Sequence, residues 1–212
     1  MTLHEGQPVL TRGARLTDAR AAMIMLHGRG ANAESILSLV RELDHPQMAY
    51  LAPQAAGNTW YPFGFMEPLE RNEPYLSSAL TVIEGLVAHV NQAGIPTEKI
   101  MLLGFSQGAC LTLEFAARHA MRYGGVAGLT GGLIGADETA RDYRGTFDGT
   151  PVFLGCSDVD FHIPKARVDQ SAEIFTRLGA VVTKRIYPGM GHTINQDEID
   201  FVKTMIEALV KS

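Results

Sequence analysis

The 212-residue chain is short of cysteine, of positive charge and of long apolar runs, and each shortage removes a class of protein. Its two cysteines, Cys110 and Cys156, are too few for a disulfide scaffold and suit buried thiols in a reducing compartment. Lys and Arg number 18 against 23 Asp and Glu, giving a net charge of −5 with no basic cluster, so nucleic acid is not an expected partner. No apolar stretch is long enough to span a bilayer. Met1 to Thr17 lacks a signal-peptide core, so the chain reads as cytoplasmic. There is no G-x-x-x-x-G-K-S/T phosphate loop, and the 7 histidines show no metal-ligand spacing. Repeats and low-complexity tracts are absent as well. What is present is an ordinary globular composition, 46% apolar and 19% charged, long enough for one domain over residues 1–212 with a sizeable core.

Apolar patterning alternates along the chain. Val9-Leu10 and Ala14 to Leu16 suggest a short hairpin or edge strands. Ala21 to Leu26 reads as a buried strand running into His27-Gly28-Arg29-Gly30. Asn32 can cap a helix whose stripe is Ile36, Leu37, Val40 and Leu43, stopped by Pro46. Met48 to Ala52 is the next strand. Residues 54–72 have no period and are rich in Gly, Pro and aromatics, the composition of a functional loop. A helix is predicted from about Pro74 to Ala93, and strands over Ile100–Leu103, Gly125–Leu129, Pro151–Gly155 and Val181–Tyr187. Further helices follow Gln107, Pro164 and Asn195, the last with Glu198 in a capping-box position. Residues 130–150 read as a loop excursion. The alternation predicts an α/β fold, a mostly parallel central sheet with helices on both faces and reduced N-terminal strands.

The most informative stretch is Gly104-Phe105-Ser106-Gln107-Gly108, a G-x-S-x-G sequence between a strand and a helix. A reversal over one residue strains that residue and lifts its side chain clear of the sheet. Small neighbours two before and two after are needed because they crowd the turn. Taken alone, such a stretch is as readily a glycine-rich turn with an ordinary serine. Ligands of parallel sheets collect at the strands' carboxyl ends, and His27, Ser106, Asp160 and His192 all fall there. A serine hydroxyl needs a base, and an imidazole base needs a carboxylate to fix its tautomer. The order serine, aspartate, histidine is that of the α/β-hydrolases. The spacing leaves Asp158 and Asp160 both open as the carboxylate, because a two-residue shift on a strand end keeps side-chain direction.

At this point the chain resembles the phospholipase/carboxylesterase family, the acyl-protein thioesterase-like group of the α/β-hydrolases. The matching motifs are L-H-G-R-G from Leu26, A-P-Q from Ala52, G-F-S-Q-G-A from Gly104, D-x-x-I-P from Asp160 and G-M-G-H from Gly189. They run from about residue 21 to the C-terminus. The resemblance implies a serine carboxylesterase with Ser106 as nucleophile, His192 as base, Asp160 as acid, and no cofactor or metal. It also implies an oxyanion hole from the backbone N–H groups of Arg29 and Gln107, with the Arg29 side chain an uninvolved exposed arginine and His27 bonded within its own loop. Trp60, Tyr61, Phe63, Phe65 and Met66 are expected to wall the substrate site, unless that loop merely plugs its own underside. Phe161 and His162 flank the acid and are expected to face the pocket. Because they differ from the residues usual between Asp and Pro in thioesterases, the expected partner is a small or short-chain ester. Long-chain acyl-protein thioesterase or lysophospholipase activity is the alternative, and a hydrolase-like ligand-binding protein is less expected. A homodimer is left open.

Overall fold

The computed structural model describes residues 3–211. Met1, Thr2 and Ser212, the outermost residues of the expected single domain, lie outside the described residues. Seven strands form one sheet: β1 (Val9–Gly13), β2 (Ala21–Leu26), β3 (Met48–Pro53), β4 (Ile100–Phe105), β5 (Gly125–Leu129), β6 (Pro151–Ser157) and β7 (Val181–Tyr187). Their order is β1-β3-β2-β4-β5-β6-β7. Every neighbouring pair is parallel except β1 with β3. β4 is therefore the middle strand. Of the short hairpin or edge strands suggested for the N-terminal stretch, Val9-Leu10 opens the edge strand β1, and Ala14 to Leu16 form no strand. β1 ends at Gly13, whose φ of +74° suits glycine and where a Cβ would lie 2.4 Å from the Met48 carbonyl oxygen.

Alternate residues of the inner strands feed two cores. Ala22, Ile24 and Leu26 of β2 face the layer made by α3 (Tyr75–Gln92), α4 (Gln107–Arg118) and α5 (Lys165–Arg177). Ala21, Met23 and Met25 face the layer made by α1 (Ala33–Leu37), α2 (Val40–Leu43) and α6 (Gln196–Lys211). Burial on both faces explains why these strands read as continuous apolar runs.

The helix expected after Asn32 is two short helices. Asn32 Oδ1 caps it as anticipated, accepting from the Ser35 N–H at 2.9 Å. The Ser38 hydroxyl then donates to the Ser35 carbonyl, and the backbone tightens into i→i+3 bonds (Leu39 to Ile36, Arg41 to Ser38) that break the α pattern. At α6 the capping box forms: Asn195 N–H donates to Glu198 Oε2 at 2.9 Å, and Glu198 N–H to Asn195 Oδ1 at 3.0 Å. Both cysteines are buried and free.

Candidate active site

β4 delivers Ser106 to the centre of the sheet's carboxyl edge. Its φ of 55° and ψ of −120° place a non-glycine residue in a region that costs on the order of 1–3 kcal/mol. The surroundings enforce it. A Cβ on Gly104 would sit 2.2 Å from the Gly108 carbonyl oxygen, and one on Gly108 2.2 Å from that of Leu26. The strand–turn–helix closes only because both positions lack a side chain.

Two later loops converge on this serine. His192, after β7, brings Nε2 to 2.8 Å from Ser106 Oγ. Asp160, after β6, brings Oδ2 to 2.7 Å from His192 Nδ1. The other Asp160 oxygen accepts N–H groups of His162 (2.8 Å) and Ile163 (2.9 Å). Burial alone would raise this carboxyl's pKa. The hydrogen bonds from His192, Ile163 and His162 outweigh that and hold it below its ordinary value. An ionised Asp160 only accepts, so His192 Nδ1 carries the proton and Nε2 is left to accept from the serine hydroxyl. Asp158 is directed elsewhere: its Oδ1 accepts the Gly189 N–H at 2.8 Å and braces the loop that carries His192. Phe105 packs on the His192 ring with centroids 5.4 Å apart.

The loop after β2 approaches from the other side. Gly30 N–H donates to Asn58 O and Ala31 N–H to Gly28 O, whereas the Arg29 N–H has no backbone acceptor among the described residues. The Gln107 N–H belongs to the first turn of α4, where no intrahelical acceptor exists. His27 is bonded in place: its Nδ1 donates to Gly28 O, and its Nε2 accepts the Ala55 N–H. Burial lowers its pKa and keeps it neutral.

A cavity of about 380 Å³ opens beside Ser106. Of the residues expected to wall it, Tyr61, Phe65 and His162 do so, together with Arg29 and Gln107. Four do not line it. Trp60 is fully buried beneath the loop, its indole N–H donating to His27 O and its ring packed between His4 and His27. Phe63 turns outward under the Arg71 guanidinium, 4.4 Å from ring to cation. Met66 is half-buried away from the opening. Phe161 is 81% exposed and packs its ring on His162, which in turn meets His192 edge-on at 4.8 Å. The Arg29 side chain is exposed, as expected, and donates to the Pro62 and Phe63 carbonyls.

Sequence reasoning missed Cys110, Phe105 and Ile163 as lining residues. Cys110 was findable, because it stands one helical turn beyond Ser106 and therefore on the same face. Burial pushes its thiol up to about 12, so it is no rival nucleophile at neutral pH. Among the described residues no group of three or more His, Cys, Asp or Glu is placed to hold a metal ion. No helix among them is long and apolar enough to cross a membrane.

A parallel sheet with a strained serine elbow on its middle strand, and later loops bringing aspartate and histidine to it, defines the α/β-hydrolase fold. Within that class the chain belongs to the phospholipase/carboxylesterase family, whose profile matches residues 14–210. It is 27% identical over 219 residues to acyl-protein thioesterase 1 of Candida albicans, covering 90% of this chain and 94% of that one. It is 25% identical to a probable carboxylesterase, SOBER1-like, of Arabidopsis thaliana, covering 92% and 80%. Among solved structures, a phospholipase/carboxylesterase from Dyadobacter fermentans superposes with a TM-score of 0.93 at 44% identity, covering 98% of this chain and 99% of that one.

Proposed function

We propose that the chain is a serine carboxylesterase acting on small or short-chain carboxylic esters through an acyl-enzyme. The observation that carries this is the continuous relay Ser106 Oγ to His192 Nε2 at 2.8 Å and His192 Nδ1 to Asp160 Oδ2 at 2.7 Å. His192 takes the serine proton as Oγ attacks the ester carbonyl. The oxyanion is held by the N–H groups of Arg29 and Gln107, with the α4 N-terminus adding its positive end. Collapse expels the alcohol, protonated by His192. Water, deprotonated by the same imidazole, then cleaves the acyl-serine. Every step uses side chains and backbone of this chain, so no cofactor or metal is required.

A cavity of about 380 Å³ walled by Tyr61, Phe65, Cys110 and Ile163 supports the small-ester reading. The name of the Candida albicans relative favours a second reading, long-chain acyl thioesterase activity. Hydrolysis of p-nitrophenyl esters from acetate to palmitate, with wild type and Ser106→Ala side by side, separates the readings. The expected result is a maximum at short acyl chains and loss of nearly all turnover in the variant. A long-chain maximum favours the thioesterase. Absence of turnover in a folded wild type, or an undiminished Ser106→Ala, overturns the serine-esterase mechanism.

A further inference from the structure

The two residues assigned as oxyanion donors carry side chains that the mechanism above does not use. Gln107 is 5% exposed, and the hydrogen bonds of its amide all go to one segment. Oε1 accepts the Trp60 N–H at 2.9 Å and the Thr59 hydroxyl at 3.2 Å, and Nε2 donates to the Tyr61 carbonyl at 2.8 Å. The Arg29 guanidinium grips the continuation of that segment: Nη1 donates to the Pro62 carbonyl at 2.9 Å and Nη2 to the Phe63 carbonyl at 2.5 Å. Residues 59–63 are thus held, one after another, by two residues far apart in sequence. The same segment supplies Tyr61 to the cavity and leads to Phe65. A further bond, Gly30 N–H to Asn58 O at 2.7 Å, ties the segment's start to the Arg29 loop.

Such a pattern has a physical use. The direction of the Gln107 N–H is set by the turn at Ser106, whose positive φ is maintained only by its surroundings. The Arg29 N–H belongs to an irregular loop with no helix or strand to hold it. Electrostatic stabilisation works only if the donors are already aimed before charge develops. We infer that Gln107 and Arg29 are positioning residues: their side chains lock both oxyanion donors to the cavity wall, so that donor geometry and wall geometry form one rigid unit. This rests on the serine-esterase reading. It adds that the side chains set the turnover rate, not merely the shape of the loop.

The test is steady-state hydrolysis of p-nitrophenyl acetate by Gln107→Glu, Gln107→Leu, Arg29→Ala and Arg29→Lys. It is paired with inhibition by phenylboronic acid, whose tetrahedral adduct on Ser106 mimics the oxyanion. In Gln107→Glu one oxygen accepts as before, while the other faces the Tyr61 carbonyl with no proton to give. The expected result is a fall in kcat of about ten- to a hundredfold, less than the full loss of a donor. KM should stay within about twofold, and boronate affinity should fall by the same factor as kcat/KM. Arg29→Lys, which reaches one carbonyl instead of two, should lie between wild type and Arg29→Ala. A rise in KM with kcat and boronate affinity intact would mean a wall role only and overturn the inference. Unchanged kcat in all four variants would overturn it too. Should the buried Gln107 variants fail to fold, the exposed Arg29 pair decides the matter by the same readouts. A wild type that neither turns over ester nor binds boronate sinks the serine-esterase reading and the inference together. A wild type whose activity needs Ser106, with undiminished Gln107 and Arg29 variants, sinks the inference alone.

Discussion

Asp158 and Asp160 show how much two positions matter when side chains have different partners. Asp160 is buried against His192, and Asp158 is exposed and holds the Gly189 N–H. Asp160→Asn should therefore lower kcat by about 10³- to 10⁴-fold, because an amide no longer fixes the imidazole tautomer. Asp158→Asn should cost less than about tenfold, through loosening of the histidine loop. Initial rates on p-nitrophenyl acetate distinguish the two, and equal losses would mean that the acid is misassigned. The sign of the Asp160 pH effect follows from its lowered pKa. Ionised Asp160 favours the folded state fully above the reference value of 3.8, and that contribution is lost as pH falls through the lower folded value. At this scale the sequence was legible where a motif fixes the backbone, as at Ser106 and His192. It was not legible in the aromatic loop. Trp60, Tyr61 and Phe63 are consecutive or nearly so, yet one lies beneath the loop, one lines the cavity and one faces outward. With no helical or strand period in that stretch, composition gave no direction to any of them.

Elements carry a different kind of constraint. The elbow depends on two missing side chains, so Gly108→Ala, whose Cβ would meet backbone oxygens of Leu26 and His27, should destabilise by at least about 3 kcal/mol. Urea unfolding measures this, and a loss under about 1 kcal/mol would mean that the elbow relaxes freely. The N-terminus of α6 offers a pH prediction. Glu198 is buried, its Oε1 has no hydrogen-bond partner among the described residues, and burial pushes its pKa up to about 7 from 4.5. Between those values the unfolded chain is ionised while the folded one keeps its proton, so stability falls as pH rises from 4.5 to 7. The accumulated cost is about 3 kcal/mol. Glu198→Gln keeps the capping acceptor and removes the ionisation. Its stability relative to wild type should climb across that window and level off above it, as thermal melts from pH 4 to 8 would show. Strands and long helices were legible because burial on both faces, or on one stripe, writes itself as apolar periodicity. The break between α1 and α2 was not, because a serine hydroxyl turning back on its own helix leaves the apolar stripe intact. The N-terminal strand was legible only at Val9-Leu10. β1 lies at the sheet edge and is mostly exposed, so its remaining residues show no apolar pattern.

Across the whole molecule, distant segments hold the cavity wall from below. His4, near the N-terminus, accepts the Ala56 N–H at Nδ1 and donates from Nε2 to Trp60 O, while His27 accepts the Ala55 N–H. Each histidine needs an unprotonated nitrogen facing a backbone donor, and burial lowers both pKa values below the reference 6.5. Their contribution is complete above 6.5 and is lost as pH falls through the lower folded values. Amide exchange at Ala55 and Ala56, corrected for intrinsic rates, should accelerate as pH falls through those lower values, before the sheet amides respond. Protection at both amides that is lost only together with that of the sheet would show that other contacts hold the wall.

The groups that meet at Ser106 travel far along the chain to do so. His192 is 86 residues from Ser106 and 32 from Asp160, and the bonds joining them span separate, parallel strands of one sheet. Parallel pairings of this kind pay loop-closure entropy before any contact repays it, and they form late. During refolding, helical signal should return well ahead of ester turnover. Catalysis is thus a reporter of completed topology, and a partly folded chain rich in secondary structure should be silent in the assay.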